Sequence, residues 1–265
     1  RNLAREVIGV GRHPERLRDA RERGMLDVCS TRLADVATGC DLVVFAVPVL
    51  TFPPLLEQFA VSWNGSGVVT DVGSTKMSTI RAARRELGPH YRSFVPGHPI
   101  AGRERAGHEF AEADLFVDHR VILTPTQDTD PAAVELVTGF WRAVGARVVT
   151  MPVEQHDTTL AATSHLPHLL AYALVAMLAG RSDAERVFEF AAGGFRDFTR
   201  VASSDPDMWA DICLDNREAI ETVLRDYQRC LHELQTAMHA GDRARLRSVL
   251  ERAKVARDEW LDSQP

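Results

Sequence analysis

A histidine between two prolines is the first candidate for chemistry in this chain of 265 residues. His98 lies in the stretch Gly97-His98-Pro99-Ile100-Ala101-Gly102, which follows a short apolar run. We expect its ring to project from the carboxyl end of a strand, because the flanking prolines stiffen the loop. Imidazole titrates near neutral pH, so a fixed histidine can accept a proton during a reaction. His98 is therefore a candidate general base, although a histidine in such a loop is also compatible with a simple turn.

The elements that must position His98 are apolar runs separated by helical stretches. These runs lack polar alternation and span residues 6–11, 41–48, 68–72, 93–95, 120–123 and 147–150. Such a pattern predicts a doubly wound α/β fold with a parallel sheet covered on both faces. Ligands bind at the carboxyl ends of the strands in these sheets. In addition to His98, the residues at the carboxyl ends of the predicted strands are Gly11, Arg12, Val47, Pro48 and Ser74.

The second half of the chain has helical periodicity and no convincing strand. The predicted helices cover residues 154–178, 183–190, 207–240 and 242–261. We therefore predict two domains, residues 1–151 and 152–265. Long helices rich in Leu, Ala and Met need a partner for their apolar faces, and in a helical half of this size the partner is often a second subunit.

Composition excludes several classes of protein. An apolar fraction of 45% and a charged fraction of 26% are typical of a globular protein, and a net charge of -6 argues against a nucleic-acid surface. The four cysteines form no CxxC pair, which favours a reducing cytoplasm over a disulfide framework or a zinc site. The longest apolar run, residues 166–180, is shorter than the roughly 20 residues of a membrane span, so it predicts a buried helix and no membrane partner.

Four strings of residues occur in a recognisable order. They are Asp71-Val72-Gly73-Ser74-Thr75-Lys76, Gly97 to Gly102, Thr163-Ser164-His165-Leu166-Pro167-His168, and Gly193 to Arg200 followed by Ser204 to Trp209. With these strings the chain resembles the prephenate/arogenate (cyclohexadienyl) dehydrogenases of tyrosine biosynthesis over residues 6–260. The resemblance implies a Rossmann-type first domain, a helical second domain that forms a homodimer, and oxidative decarboxylation of prephenate or arogenate with hydride transfer to NAD or NADP.

The resemblance also implies roles for individual residues. His98 matches a histidine that hydrogen-bonds the C4 hydroxyl of the substrate, and Ser74 matches a serine beside both that histidine and the nicotinamide. Arg200 matches an arginine that binds a substrate carboxylate, His165 a second histidine that faces the substrate, and Glu104 an acid at the pocket entrance.

Three of these residues have structural alternatives. Ser74 is also compatible with a helix N-cap, Arg200 with an ion pair to Asp197 or Asp205, and His165 with a core histidine. The spacing of His165 and His168 would suit two metal ligands on one helix face, but the sequence offers no third ligand and hydride transfer needs no metal. We therefore predict no metal site.

The beginning of the sequence departs from the family pattern. The first strand corresponds to the family's second, and no GxGxxG turn precedes it. We expect the first strand and this turn to belong to the molecule although they are absent from the sequence. Relatives that use NAD often carry an acid after this strand, whereas here Gly11 is followed by Arg12. An arginine suits a ribose 2′-phosphate, which favours NADP over NAD.

A second class of function stays open at this point. A non-catalytic dimeric protein that binds a metabolite would use the same scaffold, and the missing glycine turn favours it. The presence of His98, Ser74 and Arg200 in one chain favours the enzyme. The motifs do not distinguish prephenate from arogenate.

Overall fold

The computed structural model describes residues 3–102 and 107–263. The chain divides into two compact units, Arg1–Arg217 and Glu218–Pro265. Within the described part of the first unit, helices alternate with eight short strands: β1 (Ile8–Val10), β2 (Val28–Ser30), β3 (Leu42–Phe45), β4 (Val68–Asp71), β5 (Phe94–Val95), β6 (Gly97–Pro99), β7 (Arg120–Leu123) and β8 (Arg147–Thr150).

The strands form three sheets. β1 pairs with β2, β3-β4-β5 form a second sheet, and β6-β7-β8 form a third. All neighbouring strands are parallel except β6 and β7, which are antiparallel and place His98 opposite Ile122. The expectation of an entirely parallel sheet is therefore wrong at β6. Pro96 separates β5 from β6 and has no N–H for a sheet hydrogen bond, so the chain changes direction and partner there.

Helices cover both faces of the central strands. The helices of the first unit are α1 (Pro14–Glu22), α2 (Phe52–Ser62), α3 (Met77–Leu87), α4 (Pro131–Ala143), α5 (Val153–Leu160), α6 (Leu166–Ala179), α7 (Ala184–Glu189), α8 (Gly193–Thr199) and α9 (Pro206–Asp215). Val69 and Phe94 point into a cluster formed with α2 and α3, whereas the next residue, Val95, points into a cluster formed with α4. Since successive strand residues face opposite sides, the doubly wound prediction is confirmed.

Large apolar side chains fill these two clusters. Phe59 on α2 and Phe94 are fully buried in the first, and Val121, Leu123 and Val137 are fully buried in the second. Each such side chain contributes about 1.5–3 kcal/mol relative to an exposed one, so the clusters hold the strand ends in place.

The helical part of the chain contains an irregular turn. A π-helix, Ala161–His165, joins α5 to α6 without interruption, so the helix runs from Val153 to Ala179. Among the described residues this is the one helix long and apolar enough to cross a membrane, and 28% of its most apolar window is buried within the chain. The core helix of a soluble protein meets the same criteria, so this is weak support for a span. The predicted buried helix at 166–180 is only partly covered in the single chain, because Met177 is 57% exposed.

Several predicted bounds agree with the structure and others do not. The strands at 120–123 and 147–150 have the predicted ends, and Asp130 caps α4 by accepting from the Ala132 amide at 2.9 Å. The predicted helix at 207–240 is instead α9 and α10 (Arg217–His239), with a break at Asn216. The last helix is α11 (Arg243–Asp262). β2 and α8 were not predicted, because β2 contains no apolar run and α8 begins with two glycines, which disfavour a helix.

Candidate active site

His98 lies inside β6 rather than in a loop, and only 8% of it is exposed. Its Nδ1 is 2.9 Å from Nε2 of His156 on α5, and Nδ1 of His156 is 2.7 Å from Oδ1 of Asp157. Burial, followed by the nearby positive charges of His156, Lys76 and His165 when protonated, holds the pKa of His98 well below its usual 6.5. At neutral pH the ring is therefore uncharged and able to accept a proton.

Asp157 connects this pair of rings to helix α3. Its Oδ1 accepts from the Lys76 amide and its Oδ2 from the Met77 amide, both at 2.9 Å. Burial opposes ionisation, but the hydrogen bonds from His156 and from these two amides outweigh burial and lower the pKa of Asp157. A side chain from α5 thus caps the N-terminus of α3.

A buried ion pair fixes the backbone beside His98. Lys76 is fully buried, forms a salt bridge with Asp71 at the end of β4, and donates to the Gly97 carbonyl at 2.8 Å. Asp71 also accepts from the Gly97 amide at 3.1 Å. A Cβ at Gly97 would lie 2.9 Å from the Asp71 carbonyl oxygen, so this close approach requires glycine. Both polar groups of Gly97 are held by the ion pair, which sets the position of the next residue, His98.

His165 lies at the end of the π-helix and is 1% exposed. Its Nδ1 is 3.2 Å from the side-chain nitrogen of Asn216, which is also 2.8 Å from the main-chain oxygen of Asp157. Burial lowers the pKa of His165 to about 4, an effect that the Asp157 charge partly offsets. Local π-helical turns often occur at functional sites, and here the turn directs His165 inward.

Ser74 lies half-buried in the loop after β4. Its hydroxyl makes no hydrogen bond within residues 3–102 and 107–263, and the partner of His98 Nδ1 is His156. The N-cap interpretation of Ser74 is wrong, because α3 has Lys76 at its N-cap and takes its capping carboxylate from Asp157.

Arg200 begins a short 3₁₀ helix, Arg200–Ser203, which packs against α6. It lines an open cavity of about 520 Å³ together with Ala191, Ala192, Phe195, Arg196, Thr199 and Ser203. Glu104, the predicted acid at the pocket entrance, lies outside the described residues. The predicted substrate-binding residues are thus not all brought together: His165 is within the histidine network, and Arg200 belongs to the cavity.

The predicted cofactor residues occupy strand ends, as expected. Gly11 follows β1 and donates to the Ser30 carbonyl at 3.2 Å, and the Arg12 side chain is exposed at that edge. After β3, Val47 is half-buried and Pro48 is exposed.

No group of three His, Cys, Asp or Glu side chains in the described ranges could hold a metal ion. His168 donates to the Ser164 carbonyl at 2.9 Å and stacks on Trp209 with ring centroids 3.7 Å apart. Trp209 packs with Val49 and Ile212 in a small buried cluster.

Sequence reasoning missed three residues of this network, His156, Asp157 and Asn216. His156 stands next to Asp157, and an adjacent His-Asp pair after a helix start was the available signal. Asn216 interrupts an amphipathic pattern that continues on both sides, so only its poor helix propensity pointed to it.

Two family models match the chain. Residues 1–150 match the nucleotide-binding domain of prephenate dehydrogenase, and residues 152–252 match its dimerization domain.

Individual relatives agree with these matches. Cyclohexadienyl dehydrogenase of Zymomonas mobilis is 37% identical over 225 residues, which are 84% of this chain and 76% of that protein. Prephenate dehydrogenase of Bacillus subtilis is 34% identical over 256 residues, or 96% and 69% of the two chains. The crystal structure of Aquifex aeolicus prephenate dehydrogenase with hydroxyphenyl propionate and NAD⁺ is similar with a TM-score of 0.90 and 35% identity, covering 97% of this chain and 90% of that one.

Proposed function

This chain belongs to the prephenate dehydrogenase family, and we propose that it oxidatively decarboxylates prephenate or arogenate with hydride transfer to NAD or NADP. The products are 4-hydroxyphenylpyruvate from prephenate and tyrosine from arogenate. The observation that carries this proposal is the buried, uncharged His98 at the centre of a hydrogen-bonded network.

The chemistry requires a base at one position. As hydride leaves C4 of the substrate ring, the C4 hydroxyl loses its proton and its oxygen becomes a carbonyl oxygen. The ring carboxylate then leaves as carbon dioxide, and the electron pair of the broken C–C bond makes the ring aromatic and converts the C4 oxygen to a phenolate, which takes back a proton to give the phenol of the product. His98 accepts the hydroxyl proton, a contribution of roughly 10²–10⁴-fold in rate. Its low pKa keeps the ring uncharged at neutral pH, and burial excludes the water that would compete for the hydrogen bond.

Two further side chains bind the substrate in this proposal. Arg200 forms paired, charge-assisted hydrogen bonds with a substrate carboxylate in its cavity, a geometry that lysine cannot reproduce. His165 faces the substrate beside His98. Glu104, which is outside the described residues, is proposed as an acid at the pocket entrance.

The residues present fit part of a dinucleotide site. Ser74 offers a hydroxyl without an internal partner in the described chain, close to the end of β4. Together with Val47 and Pro48 it suits the nicotinamide end, while Gly11 and Arg12 suit the adenosine ribose edge. The bound nicotinamide supplies the acceptor for the hydride. We favour NADP, because Arg12 is exposed at the carboxyl end of β1 and a guanidinium suits a 2′-phosphate.

The organisation of the protein follows from the same proposal. Residues 1–151 bind the dinucleotide, and residues 152–265 bind the substrate and form a homodimer, which agrees with the matched dimerization model. The reducing cytoplasm is the proposed location, supported by four cysteines that are all free thiols.

The test is the absorbance of reduced cofactor with prephenate and with arogenate, each in the presence of NAD and of NADP. We expect turnover of at least one substrate, faster with NADP. A folded dimer that turns over neither substrate would refute the proposal and return the chain to the binding-only alternative.

A further inference from the structure

We propose that His156 and Asn216 fix His98 and His165 in opposite tautomers, so that Nε2 of His98 accepts a hydrogen bond while Nε2 of His165 donates one. The inference rests on the proposed function, because it states what each histidine offers to the substrate. His156 and Asn216 are positioning residues in this account, since they act through the two rings.

The tautomer of His98 follows from the Asp157 carboxylate. Both Asp157 oxygens accept main-chain amides and the group is ionised, so it has no hydrogen to donate. Nδ1 of His156, 2.7 Å away, must therefore carry a hydrogen. In the neutral form of His156 the ring has one N–H, so Nε2 of His156 is an acceptor and Nδ1 of His98 at 2.9 Å donates to it. Nε2 of His98 is left with a free lone pair.

The tautomer of His165 follows from the main chain of the same aspartate. The Asp157 carbonyl can only accept, so the Asn216 side-chain atom 2.8 Å from it must be the amide nitrogen. The second hydrogen of that NH₂ group is directed to Nδ1 of His165 at 3.2 Å, which must accept. The single hydrogen of neutral His165 is therefore on Nε2.

Opposite tautomers give the pocket one base and one donor, both uncharged. A lone pair on His98 Nε2 can receive the hydroxyl proton, whereas a hydrogen on that atom would block transfer. Holding an imidazole in the wrong tautomer can cost up to about 10⁴-fold in kcat. The hydrogen on His165 Nε2 can bind a substrate oxygen without the desolvation cost of a buried cation. Asp157 organises both rings, one through its side chain and the other through its main chain.

The direct test is nuclear magnetic resonance of the free wild-type protein labelled with ¹⁵N-histidine. At about pH 8, well above the usual imidazole pKa of about 6.5, the two nitrogens of a neutral ring have distinct shifts according to which one carries hydrogen. The chain has ten histidines, and spectra of His98→Asn and His165→Asn identify the two of interest. We expect hydrogen on Nδ1 of His98 and on Nε2 of His165. Hydrogen on Nε2 of His98, or on Nδ1 of His165, would overturn the inference.

Two variants separate the effects on rate and on binding. His156→Phe keeps a ring but removes the acceptor of His98, so the hydrogen should redistribute toward Nε2 and kcat should fall about tenfold to hundredfold, with KM changed less than about threefold. Asn216→Asp places an acceptor opposite His165, so its hydrogen should move to Nδ1 and KM for the substrate should rise. His119→Phe, at an exposed histidine, is the matched control and should change neither tautomer.

The outcomes distinguish this inference from the proposed function. A loss of kcat in His156→Phe with an unchanged His98 tautomer would reduce His156 to a packing role and refute the inference. If the wild-type enzyme turns over substrate but carries hydrogen on Nε2 of His98 or on Nδ1 of His165, the inference is refuted too, while the dehydrogenase proposal stands. If the wild-type protein has the expected tautomers but turns over neither substrate, the hydrogen-bond assignment is supported and the dehydrogenase proposal is refuted.

Discussion

Acidification should destabilise this protein through His165. The ring is 1% exposed, and burial lowers its pKa to about 4, whereas the same side chain in the unfolded chain titrates near 6.5. Above pH 6.5 the ring is neutral in both states and its contribution to stability is complete. As the pH falls below 6.5, the unfolded chain takes up a proton that the folded chain cannot bind, so stability is lost progressively until about pH 4.

The size of the effect follows from the two pKa values. The interval from 6.5 to about 4, at about 1.4 kcal/mol per pH unit, corresponds to about 3 kcal/mol from His165 alone. The pKa values of His98 and His168 are also lowered, chiefly by burial, and add loss in the same direction. Asp157 cannot account for the loss in this interval, because its lowered pKa places its titration below 3.8. A loss of this size is a large part of a typical total of roughly 5–15 kcal/mol.

The assay is urea unfolding at fixed protomer concentration, from about pH 8 down to about pH 4.5. His165→Phe keeps a ring in the site and removes the titrating group. Between about pH 8 and about pH 4.5 its free energy of unfolding should therefore fall by about 2.5 kcal/mol less than that of the wild type. His119→Phe removes an exposed histidine and should follow the wild type. Equal slopes for His165→Phe and the wild type would refute the reasoning.

Three other substitutions have expected results. Lys76→Met should lower the free energy of unfolding by about 3–5 kcal/mol in urea, because it leaves Asp71 buried without its cation, and adding Asp71→Asn should recover part of the loss; a loss below about 1 kcal/mol would contradict this. Arg200→Lys should raise KM for the substrate about tenfold or more in steady-state assays, because the paired hydrogen bonds are lost; an unchanged KM would remove Arg200 from the site. Arg12→Asp should lower the ratio of kcat/KM for NADP over NAD at least about tenfold; an unchanged ratio would remove Arg12 from cofactor selection.

Local sequence patterns predicted much of the fold. The bounds of β7 and β8 could be predicted because each is a clear apolar run, and Asp130 is a strong capping residue before Pro131. The antiparallel pairing of β6 could not be predicted, because it depends on which distant strand His98 meets after the chain turns at Pro96.

The centre of the site was predictable only in part. His98, Ser74 and His165 stand in motifs that resemble a known family. The hydrogen bonds that orient them join residues far apart in sequence: 58 positions separate His98 from His156, and 81 separate Lys76 from Asp157. Such pairings depend on how α5 packs against the start of α3, which no local pattern encodes.

The most direct test of the account is the turnover of prephenate or arogenate by His98→Asn beside the wild type, followed as reduced cofactor. Because Asn cannot accept the hydroxyl proton, we predict that kcat falls by about 10²-fold or more while the variant keeps the wild-type affinity for cofactor. A variant that folds, binds cofactor and keeps kcat within about threefold of the wild type would contradict the claim that His98 is the base.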